Sequence, residues 1–145
     1  MKTFTALFAQ LDETTKTSQK ISYLSNYFQV AYSMDKLWTI ALFSGRRPKR
    51  AVTTTQLRQW AAERANIPLW LFEDCYRVVG DLAEALALIL PPAQQTSDRS
   101  LSDWIVWLRA LHALPSDQRK PQIISAWDQL PVQQCFLFNK LITGG

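Results

Sequence analysis

The residues with the clearest potential for chemistry form a short basic stretch, Ser44–Arg50, which reads Ser-Gly-Arg-Arg-Pro-Lys-Arg. Its four cations are Arg46, Arg47, Lys49 and Arg50. The whole chain has a formal net charge of +4, so it would be neutral without these four side chains. A compact group of cations suits a polyanion, and a nucleic-acid backbone fits best. We predict that the four side chains contact phosphates; the alternative is an ordinary solvated charge run.

A second candidate site is the Gly80-Asp81-Leu82 sequence, which interrupts an otherwise helical pattern. Glycine lets another molecule approach the main chain closely, and the free amides at a helix N-terminus attract phosphate. Gly80 and Asp81 are therefore candidate phosphate-binding residues. The alternative is structural, with a kink at Gly80 and with Asp81 capping the helix that restarts after it. The two interpretations are compatible with each other.

The chain lacks the sets of residues that enzymes and metal sites use. Its one histidine, His112, lies near a helix end, and its two cysteines, Cys75 and Cys135, lie in apolar helical sequence without metal-type spacing. A structural histidine and buried thiols are the expected roles of these residues. The sequence also has no Walker-type loop and no Gly-x-Gly-x-x-Gly motif. We therefore assign it no catalytic residue, no metal ligand and no cofactor, and we expect no enzymatic activity from this chain alone.

The elements that must position the candidate residues are predicted to be helices, because apolar side chains recur at helical spacing and strand-like alternation is missing. Gly45 and Pro48 prevent a continuous helix through the basic stretch, which becomes a rigid turn. Thr53-Thr54-Thr55-Gln56 has the form of a capping box and predicts a helix start. The predicted fold is all-α, with about eight helices in two packed sub-bundles, roughly 1–92 and 100–145, and a polar linker at 93–99.

The cellular location follows from two features of the sequence. The N-terminus begins directly with an amphipathic pattern and lacks the apolar region of a signal peptide. The longest apolar segment, Leu82–Pro92, contains Glu84 and is too short to span a bilayer. We therefore predict a cytoplasmic monomer with no membrane partner.

Four segments occur together in an order and spacing that is typical of one family. They are Phe4–Leu11, Phe43–Arg50, Gly80–Glu84 and Asn139–Gly145. With these segments the whole chain resembles the N-terminal DNA-binding domain of ATP-dependent DNA ligases, and it is most similar to bacterial ligases of that class. The family often has glycine after its Gly-Asp-Leu element, whereas this chain has Ala83.

The resemblance implies a helical domain that grips nicked duplex DNA through its backbone, from the minor-groove side and without reading sequence. The implied contacts are the basic stretch, the Gly80-Asp81 region and the segment with Lys140, Thr143 and Gly144. In the family, a nucleotidyltransferase domain and an OB-fold domain follow, and the complete ligase uses ATP and Mg²⁺ in DNA repair, replication and recombination. No lysine here begins the Lys-x-Asp-Gly motif of the adenylation site. We therefore expect an excised domain that is inactive alone and needs neither cofactor.

A protein–protein interaction module is the alternative function. Charged residues make up only 19% of the chain, and six tryptophans are present. Some of these could form an exposed anchoring patch for another protein. Such a module would bind its partner with little dependence on salt.

Overall fold

The computed structural model describes residues 1–143, and within them the fold is entirely α-helical, as predicted. The described helices number nine: α1 Lys2–Glu13, α2 Thr17–Val30, α3 Ser33–Phe43, α4 Thr54–Arg64, α5 Leu69–Val79, α6 Leu82–Ile89, α7 Leu101–Ala113, α8 Ser116–Trp127 and α9 Val132–Thr143. The count exceeds the expected eight by one because Gly80 and Asp81 separate α5 from α6 completely. None of these helices is long and apolar enough to cross a membrane.

Two helix boundaries follow from local side-chain chemistry. At α4 the Thr53 side chain accepts a hydrogen bond from the Gln56 amide, and the Gln56 side chain accepts one from the Thr53 amide. This confirms the predicted capping box, which satisfies two amides that the first turn leaves free. At α5 the helix ends because Gly80 adopts a left-handed conformation, with φ of 84°.

The chain divides into two compact units. The first comprises Met1–Arg47 with Asp98–Ile105, and the second comprises Pro48–Ser97 and the chain from Val106 onwards. The division differs from the sub-bundles expected from the sequence, because the first boundary lies inside the basic stretch and a later segment returns to the first unit.

A buried carboxylate explains why that later segment belongs to the first unit. Asp35 is only 6% exposed, and its Oδ1 accepts a hydrogen bond of 2.8 Å from the backbone amide of Ser102. The Thr39 hydroxyl donates to the Asp35 carbonyl and lies 2.7 Å from the hydroxyl of Tyr27. Asp35, which also lies in the first turn of α3, therefore joins α3 to the start of α7.

The second unit has a core of large, fully buried side chains. Leu57, Phe72, Leu86, Ile123 and Phe138 come from five different helices and are each 0% exposed. Burying an aliphatic or aromatic side chain of this size contributes about 1.5–3 kcal/mol. The most extensive helix pair is α6 with α9. This pair is important for the candidate site, because Asp81 directly precedes α6 and α9 carries Lys140 and Thr143.

The segment expected to be a linker is fixed to the second unit. The backbone amides of Gln94 and Gln95 donate to the carbonyl of Asp128, and the amide of Ser97 donates to the carbonyl of Gln129. Because the last carbonyls of α8 lack partners within their own helix, they can accept these bonds. Residues 94–97 are therefore an ordered connection, although their composition is that of a linker.

Candidate nucleic-acid interface

The basic stretch begins where α3 ends, as the position of Gly45 predicted. Gly45 has a φ of 88°, its amide donates to the carbonyl of Leu42, and the amide of Arg46 donates to the carbonyl of Ala41 over 2.9 Å. This pair of bonds forms a Schellman-type helix end, in which a glycine accepts the left-handed conformation without strain. The chain then leaves the helix in a defined direction, with Arg46 as the first cation.

All four predicted cations are exposed, and three of them have no partner among the described residues. Arg46, Arg47 and Lys49 have exposed side chains that make no hydrogen bond or ion pair with the part of the chain that the structure describes. Arg46 and Arg47 end the first segment of the first unit, and Lys49 belongs to the second unit. Each of these cations is therefore available to an external anion.

The fourth cation, Arg50, has a partner within the protein. Its Nη2 donates a hydrogen bond of 2.7 Å to the carbonyl of Thr143, which lies 93 positions further along the chain. This carbonyl is one of the last in α9, where main-chain oxygens carry partial negative charge. The end of the basic stretch and the end of α9 are therefore adjacent within the second unit.

The Gly80-Asp81 region has the predicted capping geometry. Oδ1 of Asp81 accepts a hydrogen bond of 3.0 Å from the backbone amide of Glu84, so Asp81 caps α6. A Cβ atom added at Gly80 would have nothing within 4 Å, so the main chain there faces open space. The structural interpretation is confirmed, and the open approach at Gly80 leaves the phosphate interpretation as a prediction.

Asp81 also forms an ion pair with Lys140. The Lys140 ammonium lies 3.0 Å from Oδ2 of Asp81 and 4.8 Å from the centre of the Phe136 ring. Burial raises the pKa of Asp81, but the hydrogen bond from the Glu84 amide and the nearby Lys140 charge outweigh burial and bring the pKa below its usual value. The charge of Lys140 is thus shared with a carboxylate, unlike the charge of Lys49.

The structure brings five of the predicted residues into one neighbourhood of the second unit. Lys140 and Thr143 are three residues apart on α9 and therefore share a face of that helix. Lys140 contacts Asp81, next to Gly80, while Thr143 contacts Arg50. Gly144, the remaining predicted contact, lies outside the described residues.

Two residues that support this neighbourhood were not singled out in the sequence. The first is Arg119, whose guanidinium donates to the carbonyls of His112 and Leu114, over 3.0 Å each, and also to the carbonyl of Ala51. Ala51 directly follows the basic stretch. The sequence does not reveal this role of Arg119, because its acceptors are main-chain atoms, which no side-chain pattern locates.

The second residue is Asn139, which is completely buried. Its Oδ1 accepts a hydrogen bond of 2.9 Å from the indole of Trp127, and its Nδ2 donates over 3.1 Å to the carbonyl of Ala83. These bonds connect α9 to α8 and to the first turn of α6. Asn139 therefore fixes the relative position of the two helices that carry Lys140 and Asp81. The sequence does carry a signal for this role, because Asn139 is a polar residue within the apolar stripe of α9.

Comparison with known protein families shows where this chain belongs. The profile of the family described as "DNA ligase N terminus" matches residues 1–144, which is almost the entire chain. No curated protein matches the chain significantly.

Proposed function

Because this chain belongs to the family of DNA ligase N-terminal domains, we propose that it binds duplex DNA through the phosphate backbone without reading base sequence. Phosphate contacts supply affinity and register, and they carry little information about sequence. The contacts we assign to this role are the unpaired cations of the basic stretch, Arg46, Arg47 and Lys49, and, within the second unit, Gly80 and the end of α9.

The observation that carries the proposal is that the cations of the basic stretch are both unpaired and clustered, whereas the helix-surface cations of the second unit are paired. On the helices of the second unit, Arg64 lies 2.9 Å from Asp128, Lys120 lies 2.6 Å from Glu63, and Arg58 lies 3.5 Å from Glu73. Lys49, like Arg46 and Arg47, has no such carboxylate among the described residues. A local excess of unneutralised positive charge attracts a polyanion and releases its counterions on binding.

The proposal extends to the role of this chain within a ligase. We propose that it positions nicked duplex DNA for a nucleotidyltransferase domain and an OB-fold domain, which use ATP and Mg²⁺ to seal the strand. The chain itself would require neither cofactor, since it contains no Lys-x-Asp-Gly sequence. In this role it would act as a cytoplasmic monomer in DNA repair, replication and recombination.

Removal of the unpaired charges tests the proposal. The variant Arg46→Gln/Arg47→Gln/Lys49→Gln removes three cations, and Lys2→Gln/Lys16→Gln/Lys20→Gln is a matched control that removes three exposed lysines from elsewhere in the chain. Affinity for two duplexes of unrelated sequence is measured by fluorescence anisotropy. We expect the first variant to lose at least about tenfold in affinity for both duplexes, and the control to lose much less.

Equal losses in the two variants would contradict the assignment of the basic stretch, since they would show that only net charge matters. A strong preference of the wild type for one duplex sequence would contradict backbone recognition. Comparison of a nicked duplex with an intact duplex of the same sequence tests the proposed role at nicks, which predicts tighter binding to the nicked duplex.

One observation favours the second candidate, protein binding. Leu37 and Ile40, both on α3, are 59% and 52% exposed although they are large apolar residues. Adjacent exposed apolar side chains can anchor a protein partner. Under this alternative, Leu37→Ser/Ile40→Ser would abolish capture of a protein by the chain and would leave DNA affinity unchanged.

A further inference from the structure

On the basis of the DNA-binding function proposed above, we propose that Arg119 is a positioning residue for the end of the basic stretch. Its guanidinium holds the main chain at Ala51 and thereby fixes Lys49, two residues earlier, for contact with a phosphate. Arg119 itself contacts no phosphate in this arrangement.

The hydrogen bonds of Arg119 show what it does in the fold. Nε donates to the carbonyl of Leu114 and Nη2 to the carbonyl of His112, both over 3.0 Å. These two oxygens lie at the end of α7, where carbonyls lack partners within their helix and carry partial negative charge. Nη1 donates to the carbonyl of Ala51, 68 positions earlier in the chain. One side chain therefore ties the segment after the basic stretch to the end of α7.

The geometry requires arginine. A guanidinium presents five N–H donors in a rigid planar fork and can satisfy three acceptors that lie in different directions. A lysine ammonium at the same place is a flexible point charge, so it could not hold the three carbonyls in the same arrangement. The function of Arg119 therefore depends on its shape as well as its charge.

The main chain beyond Lys49 is held at successive points. Ala51 and Val52 are 8% and 4% exposed, so their side chains anchor the segment in the second unit. Arg50 contributes the bond to the carbonyl of Thr143 described above. Ordering the backbone costs conformational entropy, and a segment that is already ordered avoids this cost on binding. Lys49 is thus an exposed cation on a fixed main chain.

Limited proteolysis tests this positioning without DNA. Trypsin cleaves after Lys49 and Arg50, and it needs a locally unfolded segment to do so. We expect Arg119→Gln to accelerate cleavage at these two bonds at least about fivefold, as the released segment opens more often. The matched control is Lys120→Gln, which removes the same charge from the next residue and should leave the cleavage rates unchanged. Cleavage rates equal to those of the wild type in Arg119→Gln would overturn the proposal.

The salt dependence of DNA binding separates positioning from direct contact. Lys49→Gln should reduce the slope of log affinity against log salt by about 0.9, the value for one lost phosphate contact. Arg119→Gln should weaken binding severalfold and leave that slope unchanged. A slope reduced as much as in Lys49→Gln would mean that Arg119 touches phosphate, and it would overturn the positioning role.

The conservative variant Arg119→Lys separates shape from charge. It should resemble Arg119→Gln in cleavage and affinity, because one ammonium cannot hold three carbonyls, and full wild-type behaviour would contradict the proposal. Circular dichroism establishes beforehand that each variant is helical at the assay temperature, and Arg119→Lys replaces Arg119→Gln if the latter does not fold. If the wild type fails to bind DNA, the proposed function fails, whereas the proteolysis result still decides whether Arg119 fixes the segment.

Discussion

At the scale of single residues, the buried amide of Asn139 shows how polar groups fix the candidate site. It satisfies the Trp127 indole and the Ala83 carbonyl at the same time. Asn139→Ala would leave both groups buried without partners, which costs about 1–3 kcal/mol. We expect urea unfolding to show a loss of that size. Gln133→Ala, at an exposed position of the same helix, is the control and should change stability by less than about 0.5 kcal/mol. Equal effects of the two substitutions would contradict the role of Asn139.

The two thiols should differ in reactivity. Cys135 is 3% exposed, and burial raises its pKa to about 12, although a hydrogen bond from Asn139 acts in the opposite direction. The thiolate is the reactive form, so the buried thiol should stay inert at neutral pH. Cys75 is only partly buried. A thiol-specific chromogenic reagent should therefore modify one cysteine in the native chain, and Cys75→Ser should remove that reaction. A rapid reaction that persists in Cys75→Ser would show that Cys135 is accessible.

At the scale of elements, the break between α5 and α6 depends on the left-handed backbone of Gly80. An added Cβ would meet no atom within 4 Å, so only backbone strain opposes a side chain there. Gly80→Ala should lower stability by about 1–2 kcal/mol, the cost of a left-handed conformation for an L-residue. Gly80→Asn should cost less, because asparagine tolerates this conformation better. Equal melting temperatures for the wild type and Gly80→Ala would contradict this view of the break.

The start of α6 should make stability depend on pH. The pKa of Asp81 is lower in the folded protein than its usual value, so the ionised carboxylate stabilises the fold. That contribution is complete above the unfolded pKa of about 3.9 and disappears as the pH falls through the folded pKa. Asp81→Asn keeps a capping side chain and loses the charge. Urea unfolding should give the wild type a larger free energy of unfolding than Asp81→Asn at pH 7, and this difference should shrink below about pH 4. A difference in stability that does not change with pH would contradict the ion pair.

Boundaries of elements could be predicted where neighbouring residues determine them. The capping box at Thr53 and the helix end at Gly45 depend on atoms within a few positions of each other, and both follow from the sequence. The break at Gly80 was predicted as an interruption. The interruption in the structure is larger than a kink, because Gly80 adopts a left-handed conformation that ends α5 and Asp81 then caps a separate helix.

At the scale of the whole molecule, long-range hydrogen bonds to main-chain atoms escaped prediction. Asp35 binds the amide of Ser102, and the amides of residues 94–97 bind carbonyls at the end of α8. Main-chain acceptors are the same at every position, so sequence spacing cannot locate them. This explains why the boundaries of the two units and the ordered segment at 94–97 were not predicted. The ion pair between Asp81 and Lys140 joins residues 59 positions apart and was also invisible in the sequence.

Positive charge is neutralised unevenly over the molecule. In the second unit, helix-surface cations such as Arg64 and Lys120 are neutralised by carboxylates, whereas Arg46, Arg47 and Lys49 lie close together in sequence without carboxylate partners. The affinity for DNA is therefore expected to depend on the basic stretch far more than on the net charge of the chain. Salt dependence reports this directly, because each phosphate that a cation neutralises releases bound counterions.

The most direct measurement is the salt slope of DNA binding for the wild type and for Arg46→Gln/Arg47→Gln/Lys49→Gln, using a nicked duplex between about 50 and 200 mM salt. Loss of three phosphate contacts predicts a slope smaller by about 2.7 in the triple variant. A slope that is the same in both proteins, or a wild-type affinity that does not change with salt, would contradict the claim that this chain binds DNA through the basic stretch.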